Sequence, residues 1–495
     1  MHMSTTMWMG MACLLVGVGG CAGGADIEEA AEEALAALLD GSCGDGVVSP
    51  ELGEACDDGN TSDADGCSST CQVQEVLLVA GGGSHTCAVL GGGSVKCWGY
   101  NGYGQIGVGD KVTRGDGTGE MGDDLPVVNL GTGKEAVELE LGTEHSCAVL
   151  SDGGLRCWGN GMFGRLGLGD GTSRGDNAGE MGDVLPAVAL GTGKTAVSVG
   201  AGVHHTCALL NDGSVKCWGS NSLGQLGSGV AGTVGNGPWQ MGDHLGAVSL
   251  GSGKTAVALA VGYNHACAVL SDGSVKCWGS NSLGQLGIGS TQHRGDSAGE
   301  MGDSLPSVSL GTGKTAVAIT AGFGHSCALL NDGSVKCWGD NGYGQLGLGD
   351  TADRGDQSNE MGNNLPAVSL GAGKTAVAIS AGHDHTCALL NDSHVKCWGY
   401  NGFGQLGVGD AANRGDAPNE MGDSLPAVSL GSGSAAVALR LGGSHSCAVL
   451  DDGSARCWGY NAQGQLGLGD NLSRGAGLQA MGDALPAVKL FQDVW

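Results

Sequence analysis

The chain has 495 residues, 100 of them glycine, with 41% apolar and 4% aromatic residues and a formal net charge of −29. Glycine at that level without a Gly-X-Y triplet excludes collagen, and the apolar content excludes a disordered chain. The length exceeds what one hydrophobic core supports, so a repeat array or several domains are expected. So acidic a surface argues against a phosphate backbone as partner.

Residues 1–20 read as a signal peptide. The first twenty-five residues carry no Lys, Arg, Asp or Glu, and 7–20 is an apolar run too short to span a bilayer. It ends in Val18-Gly19-Gly20-Cys21, which resembles the lipobox of bacterial lipoproteins. That resemblance implies that Cys21 is lipidated and becomes the N-terminus, although the usual basic n-region is missing. An ordinary cleaved signal is the alternative. No other segment is long and apolar enough for a membrane helix, so attachment is expected through a lipid anchor only, at the bacterial cell envelope or surface. Residues 21–42 form an acidic tether, with Ile27, Ala31, Ala34, Leu35 and Leu38 at helical spacing.

Residues 43–74 form a cysteine-rich module containing Cys43, Cys56, Cys67 and Cys71. Even cysteine counts in an exported chain read as disulfides, with the connectivity of these four open. The phrase resembles a cysteine-rich repeat common in bacterial surface proteins. Asp57, Asp58, Asn60, Asp63 and Asp65 stand at a spacing reminiscent of a calcium loop without matching the EF-hand string. A disulfide-pinned polar turn explains the same residues. Calcium is the one cofactor the sequence suggests.

Residues 75–495 are dominated by a repeat. His85, His145, His205, His265, His325, His385 and His445 recur every 60 residues, each opening the same phrase, such as HSCALLNDGSVKCWGDNGYGQLGLGD. Short β-rich runs at that period mean propeller blades rather than a helical solenoid. In one unit, strands are predicted at 317–320, 327–330, 335–338 and 365–370, bounded by Gly, Asn, Asp or Pro. The turn Asn331-Asp332-Gly333 closes a hairpin that sets Cys327 opposite Cys337 at a non-hydrogen-bonded site, where a disulfide fits. The same count predicts Cys87–Cys97, Cys147–Cys157, Cys207–Cys217, Cys267–Cys277, Cys387–Cys397 and Cys447–Cys457. Blade six has Ser393 at the turn glycine and should be strained or rearranged there. A rival zinc reading of His-x-Cys-x9-Cys supplies only three ligands per blade and needs free thiols.

The phrase resembles the repeat of the regulator of chromosome condensation family, through its Gly-x-x-His start, Asp-Gly turn, Trp-Gly pair and Asn-x-x-Gly-Gln-Leu-Gly. This implies an all-β fold, a seven-bladed propeller of four-stranded blades. The chain ends on an LPAV strand at 485–490 and begins the array without one, so the termini are expected to complete one blade.

GDSL at Ser304 and Ser424 sits in a slot that varies between repeats. GTGKT before a strand is no P-loop, and one GxGxxG lies in a blade turn. The repeated histidines and WG tryptophans are expected to pack between blades. The loop bearing Asp350, Arg354, Asp356 and Glu360 should give one face a ring of mixed charge. Blade three departs at 230–240, where Trp239 is a candidate anchor for a partner.

The function expected is non-catalytic: a surface or periplasmic lipoprotein, monomeric, whose propeller face binds a protein or glycan. A hydrolase or lyase on the same face is the alternative, disfavoured because catalysis needs residues special to one or two blades. Nucleotide exchange on a small GTPase, which the family resemblance also brings to mind, has no exchange wedge here and suits neither the acidity nor the compartment.

Overall fold

The computed structural model describes residues 75–477 and 480–491, together with Val48, Cys56 and Cys67. The signal run, Cys21, the tether helix, Cys43, Cys71 and the candidate calcium residues lie outside the described residues. Within the cysteine-rich stretch, Cys56 is bonded to Cys67.

Seven antiparallel sheets follow one another through the unit Glu75–Gln492. Their inner strands are Val76–Gly81, Ala136–Leu141, Ala196–Ala201, Ala256–Val261, Ala316–Ala321, Ala376–Ala381 and Ala436–Leu441. In blade five the chain continues through a middle strand, His325–Leu330, into Val335–Gly339. The middle strand is buried along its whole length, which is why HSCALL reads as an apolar run rather than an alternation: both its faces are covered by neighbouring blades. The core therefore sits between blades. Val335 and Leu346 of blade five, for example, pack with Ala388, Leu390 and Trp398 of blade six.

Each hairpin adopts the register expected from its turn, with Cys327 directly opposite Cys337. All seven repeat pairs are disulfides, with Cα separations of 4.0–4.1 Å. Pairing consumes the thiols that a zinc site would need. Ser393 takes the left-handed conformation of the glycine it replaces, with φ of 65°. Each inner strand also carries a bulge after its first residue, as between Ala316 and Ala318. The extra residue (Val317, and Leu77 or Val in the other blades) is pushed outward and stands more than half exposed.

Two features differ from expectation. Six sheets have three strands, and only blade three has a fourth, Thr233–Val234. The segment 365–370 touches its sheet through one backbone bond, from Val368 N–H to the Val335 carbonyl at 2.8 Å. Pro366 has no N–H to offer a ladder, and the segment spends its apolar residues Leu365, Val368 and Leu370 in the core instead. At the other end of the outer strand, Gly339 pairs with Arg354. The termini, moreover, meet as neighbouring blades rather than inside one. Val488 bonds to Ala455 of its own blade, and blade one is completed by its own Val128 on Val95. The seam is built like the other blade junctions, such as the one where Ala376 N–H reaches the Gly333 carbonyl and Gly422 N–H reaches Ser369. Val76 N–H reaches the Gly453 carbonyl (2.9 Å), Gly122 N–H reaches Lys489 (2.9 Å), and Lys96 Nζ reaches Leu490 (2.9 Å).

Candidate functional site

The repeated histidines and tryptophans hold the blades together. His325 is fully buried, and its Nε2 lies 2.9 Å from Thr386 Oγ1 of the next blade. Thr386 in turn donates to the Gln345 carbonyl, as does Trp398 Nε1, both at 3.0 Å. The Trp-Gly and Gly-Gln-Leu-Gly phrases are thus two halves of one joint. The glycine that follows is required: a Cβ on Gly287, where φ is +64°, would lie 2.8 Å from Trp338 Nε1. One joint is broken. Blade four has Ala266 where others have Ser or Thr, and both ring nitrogens of His205 are left without partners.

The charged loops are also internally satisfied. Asp350 and Arg354 form an ion pair (2.7 Å), with counterparts in four other blades. The Glu360 carboxylate accepts the Gly355 and Gln357 N–H groups, a loop clasp that Gln240 reproduces in blade three. Trp239 sits on that blade-three loop at 82% exposure, with φ of 67° where blades one, two, four, five and six have Gly or Asn. Holding a bulky residue in the left-handed region costs roughly 1–2 kcal/mol. Its ring meets only that of His244, at 6.1 Å.

One face gathers what the repeat otherwise lacks. The turn between inner and middle strands and the loop after the outer strand lie at the same end of each blade, joined by bonds such as Asp340 N–H to the Gly324 carbonyl (2.9 Å). All six tyrosines (100, 103, 263, 343, 400 and 460) and three of the four phenylalanines (163, 323 and 403) fall in these two loops. Tyr343, Tyr400, Phe403 and Tyr460 run across blades five to seven, with successive ring centroids 4.9, 6.0 and 4.7 Å apart. Closer to the axis, Tyr263 and Phe323 lie 4.3 Å apart, with His383 beside them. Among these rings, burial and the charge of Asp340 push Asp384 up to about 6. Carboxylates and aromatic edges therefore share one surface.

The inner strands line a channel of about 370 Å³ that opens among Tyr263 and His383. Its Glu and Arg side chains are confined to two blades. Glu138 and Glu140 project from blade two and Arg440 from blade seven, at positions where blades four to six carry Ala, Ser or Thr. Ser198 Oγ donates to Glu138 at 2.8 Å. Burial raises Glu138, partly offset by that bond, and burial raises Glu140 to about 7 against the pull of Arg440. The sequence reading passed over these three residues. Aligning the seven repeats at the inner strand is the signal that finds them.

A family model described as RCC1-like domain matches residues 180–476, and one for the regulator of chromosome condensation (RCC1) repeat matches 76–105 and 137–165. The chain belongs to the RCC1-like domain family. It is 30% identical over 410 residues to the Arabidopsis thaliana ultraviolet-B receptor UVR8, covering 82% of this chain and 81% of the receptor. It is 28% identical to the human probable E3 ubiquitin-protein ligase HERC4, where the match covers 67% of this chain but only 33% of the ligase. Among solved structures, yeast RCC1 (Prp20), crystallised with Kap60, shares the fold at a TM-score of 0.57 and 19% identity, covering 84% of each chain. As a family member this chain is a propeller, and the yeast relative was crystallised with Kap60 bound.

Proposed function

We propose that this chain is a non-catalytic, exported and lipid-anchored protein whose aromatic propeller face binds a protein or glycan. The observation that carries the reading is the concentration of all six tyrosines and three of four phenylalanines on one face of a chain that is only 4% aromatic. Tyr and Phe side chains provide large contact areas at low entropic cost and are typical binding anchors. The disulfides support an oxidising compartment, and the lipobox-like run ending at Cys21 supports the anchor. A partner that is basic or neutral suits the net acidity, and its association should weaken with added salt. Trp239, exposed on the outer loop, offers a second contact.

Capture from envelope extract and a glycan array, both with the delipidated full chain, test the binding. A triple variant, Tyr343→Ala, Tyr400→Ala and Phe403→Ala, should lose the partner while keeping its circular dichroism. Retention of the partner by that variant, or substrate turnover mapping to one blade, would sink the reading. Fractionation of Cys21→Ala tests the anchor separately. The variant should move from membrane to soluble fraction.

A further inference from the structure

Glu140 and Arg440 have no structural explanation. Elsewhere in this propeller a charge that departs from the repeat is answered locally: Arg165 replaces the usual glutamine of blade two and reaches Glu144 at 3.5 Å and the Val203 carbonyl at 2.8 Å. Of the channel charges, Glu138 is met by Ser198 Oγ at 2.8 Å, but Glu140 and Arg440 are not answered in that way. Among the described residues Glu140 makes no hydrogen bond or ion pair, and the Arg440 guanidinium donates only to the Leu439 carbonyl, at 3.2 Å. Between blades two and seven stands blade one, which presents the small Ala80 to the channel. Half-buried carboxylates such as Glu138 and Glu140 are costly to keep ionised in a protein-walled channel unless something pairs them, and the exposed Arg440 is free to reach a ligand. Removing them costs the fold nothing, because blades four to six build the same strand with Ala, Ser and Thr.

The surroundings are those of a small-molecule site: a cavity of about 370 Å³ with a few convergent polar groups, one mouth rimmed by Tyr263 and His383, and exposed Leu77 and valines where the inner strands begin. Glu138 and Glu140, two residues apart on one strand, face the same side and can together hold an ammonium group. Arg440 presents a planar fork of donors with most of its capacity unused, which matches a carboxylate. We propose that the central channel binds a small zwitterion of the amino-acid type, its ammonium on Glu138 and Glu140 and its carboxylate on Arg440. This site is independent of the aromatic face and its partner.

The test is calorimetry of the full chain against the twenty common L-amino acids, with methylamine and acetate as single-charge probes. At least one amino acid should bind, and both fragments should bind at least about tenfold more weakly, since each keeps only one charge-assisted contact. Glu140→Gln and Arg440→Leu should each weaken binding by about tenfold or more. Near pH 7 binding should release protons, read as a dependence of the heat on buffer ionisation enthalpy, because a bound ammonium favours the ionised form of Glu140. Circular dichroism of both variants should match the parent. The proposal is overturned if no amino acid binds at millimolar concentration, if methylamine or acetate binds as well as the best amino acid, or if binding survives both substitutions. Loss of the aromatic-face partner would leave these outcomes unchanged.

Discussion

At the scale of single residues, the repeat provides seven versions of one environment, and departures from it show what each atom contributes. Six repeat histidines place Nε2 2.9–3.0 Å from a Ser or Thr hydroxyl of the next blade. That hydroxyl donates onward, as Ser326 does to the Gln285 carbonyl at 3.0 Å, so the imidazole carries its proton on Nε2. His205 faces Ala266 and loses this bond. Ala266→Ser should restore it and raise the unfolding free energy by about 1 kcal/mol, measured by chemical denaturation. The reverse change at an intact joint, Ser326→Ala, should cost about 1–3 kcal/mol, because it leaves the His265 donor buried without a partner. If the two substitutions shift stability in the same direction, the joint is not what stabilises the blades.

At the scale of the blade, two cross-links compete for importance, and magnitudes separate them. The disulfide Cys327–Cys337 closes a loop of about ten residues and contributes at most ~2–3 kcal/mol, less because the hairpin already holds those strands together. Trp338 is fully buried between blades five and four, and its indole donates to the Gln285 carbonyl at 3.0 Å. Trp338→Ala should therefore cost ~3–5 kcal/mol, more than the double change Cys327→Ala, Cys337→Ala, in parallel urea titrations. The opposite order would show that blades are held internally rather than by their neighbours. This contrast also marks how far the sequence could be read. Hairpin register, the disulfide pairs, the strain at Ser393 and the interblade place of His and Trp follow from local spacing, and all were legible. The outer edge was not: LPAV has the look of a strand, yet a proline and a core-facing apolar spacing leave it one backbone bond. Nor was the site, because an inner strand reads alike whether it carries Ala or Glu. Only the closing of seven such strands around one axis brings Glu138, Glu140 and Arg440 together.

At the scale of the molecule, the same closure makes acid sensitivity a collective property. Burial pushes His85, His205, His325 and His445 down to about 3 and His265 to about 4, and holds His145 and His385 well below the ordinary value of 6.5. Folded, these imidazoles stay neutral, whereas unfolded they protonate as the pH falls through 6.5. The unfolded chain then binds more protons, so stability must fall with pH throughout that window. Raised carboxyls act in the other direction: Asp116, Glu138, Glu140, Asp353 and Asp384 all stand above the ordinary carboxylate value. Glu140 and Asp384 are raised to about 7 and about 6, so the folded state binds protons there that the unfolded state releases until the pH nears the ordinary carboxylate range. The buried imidazoles outnumber these carboxyls, so unfolding takes up protons near pH 5, each worth about 1.4 kcal/mol per pH unit when fully expressed. The ion pairs at the hairpin tips, such as Lys314 with Asp332, are exposed and add little to this slope. The expected profile falls steeply from about 6.5 towards 4, against a counter-slope from the raised carboxyls. Urea denaturation at half-unit pH steps gives the slope directly. Glu140→Gln should steepen it by about one proton near pH 6, because it removes a group that takes up a proton only in the folded state. A stability that stays level between pH 7 and 5 would mean that the seven histidines are not held neutral between the blades.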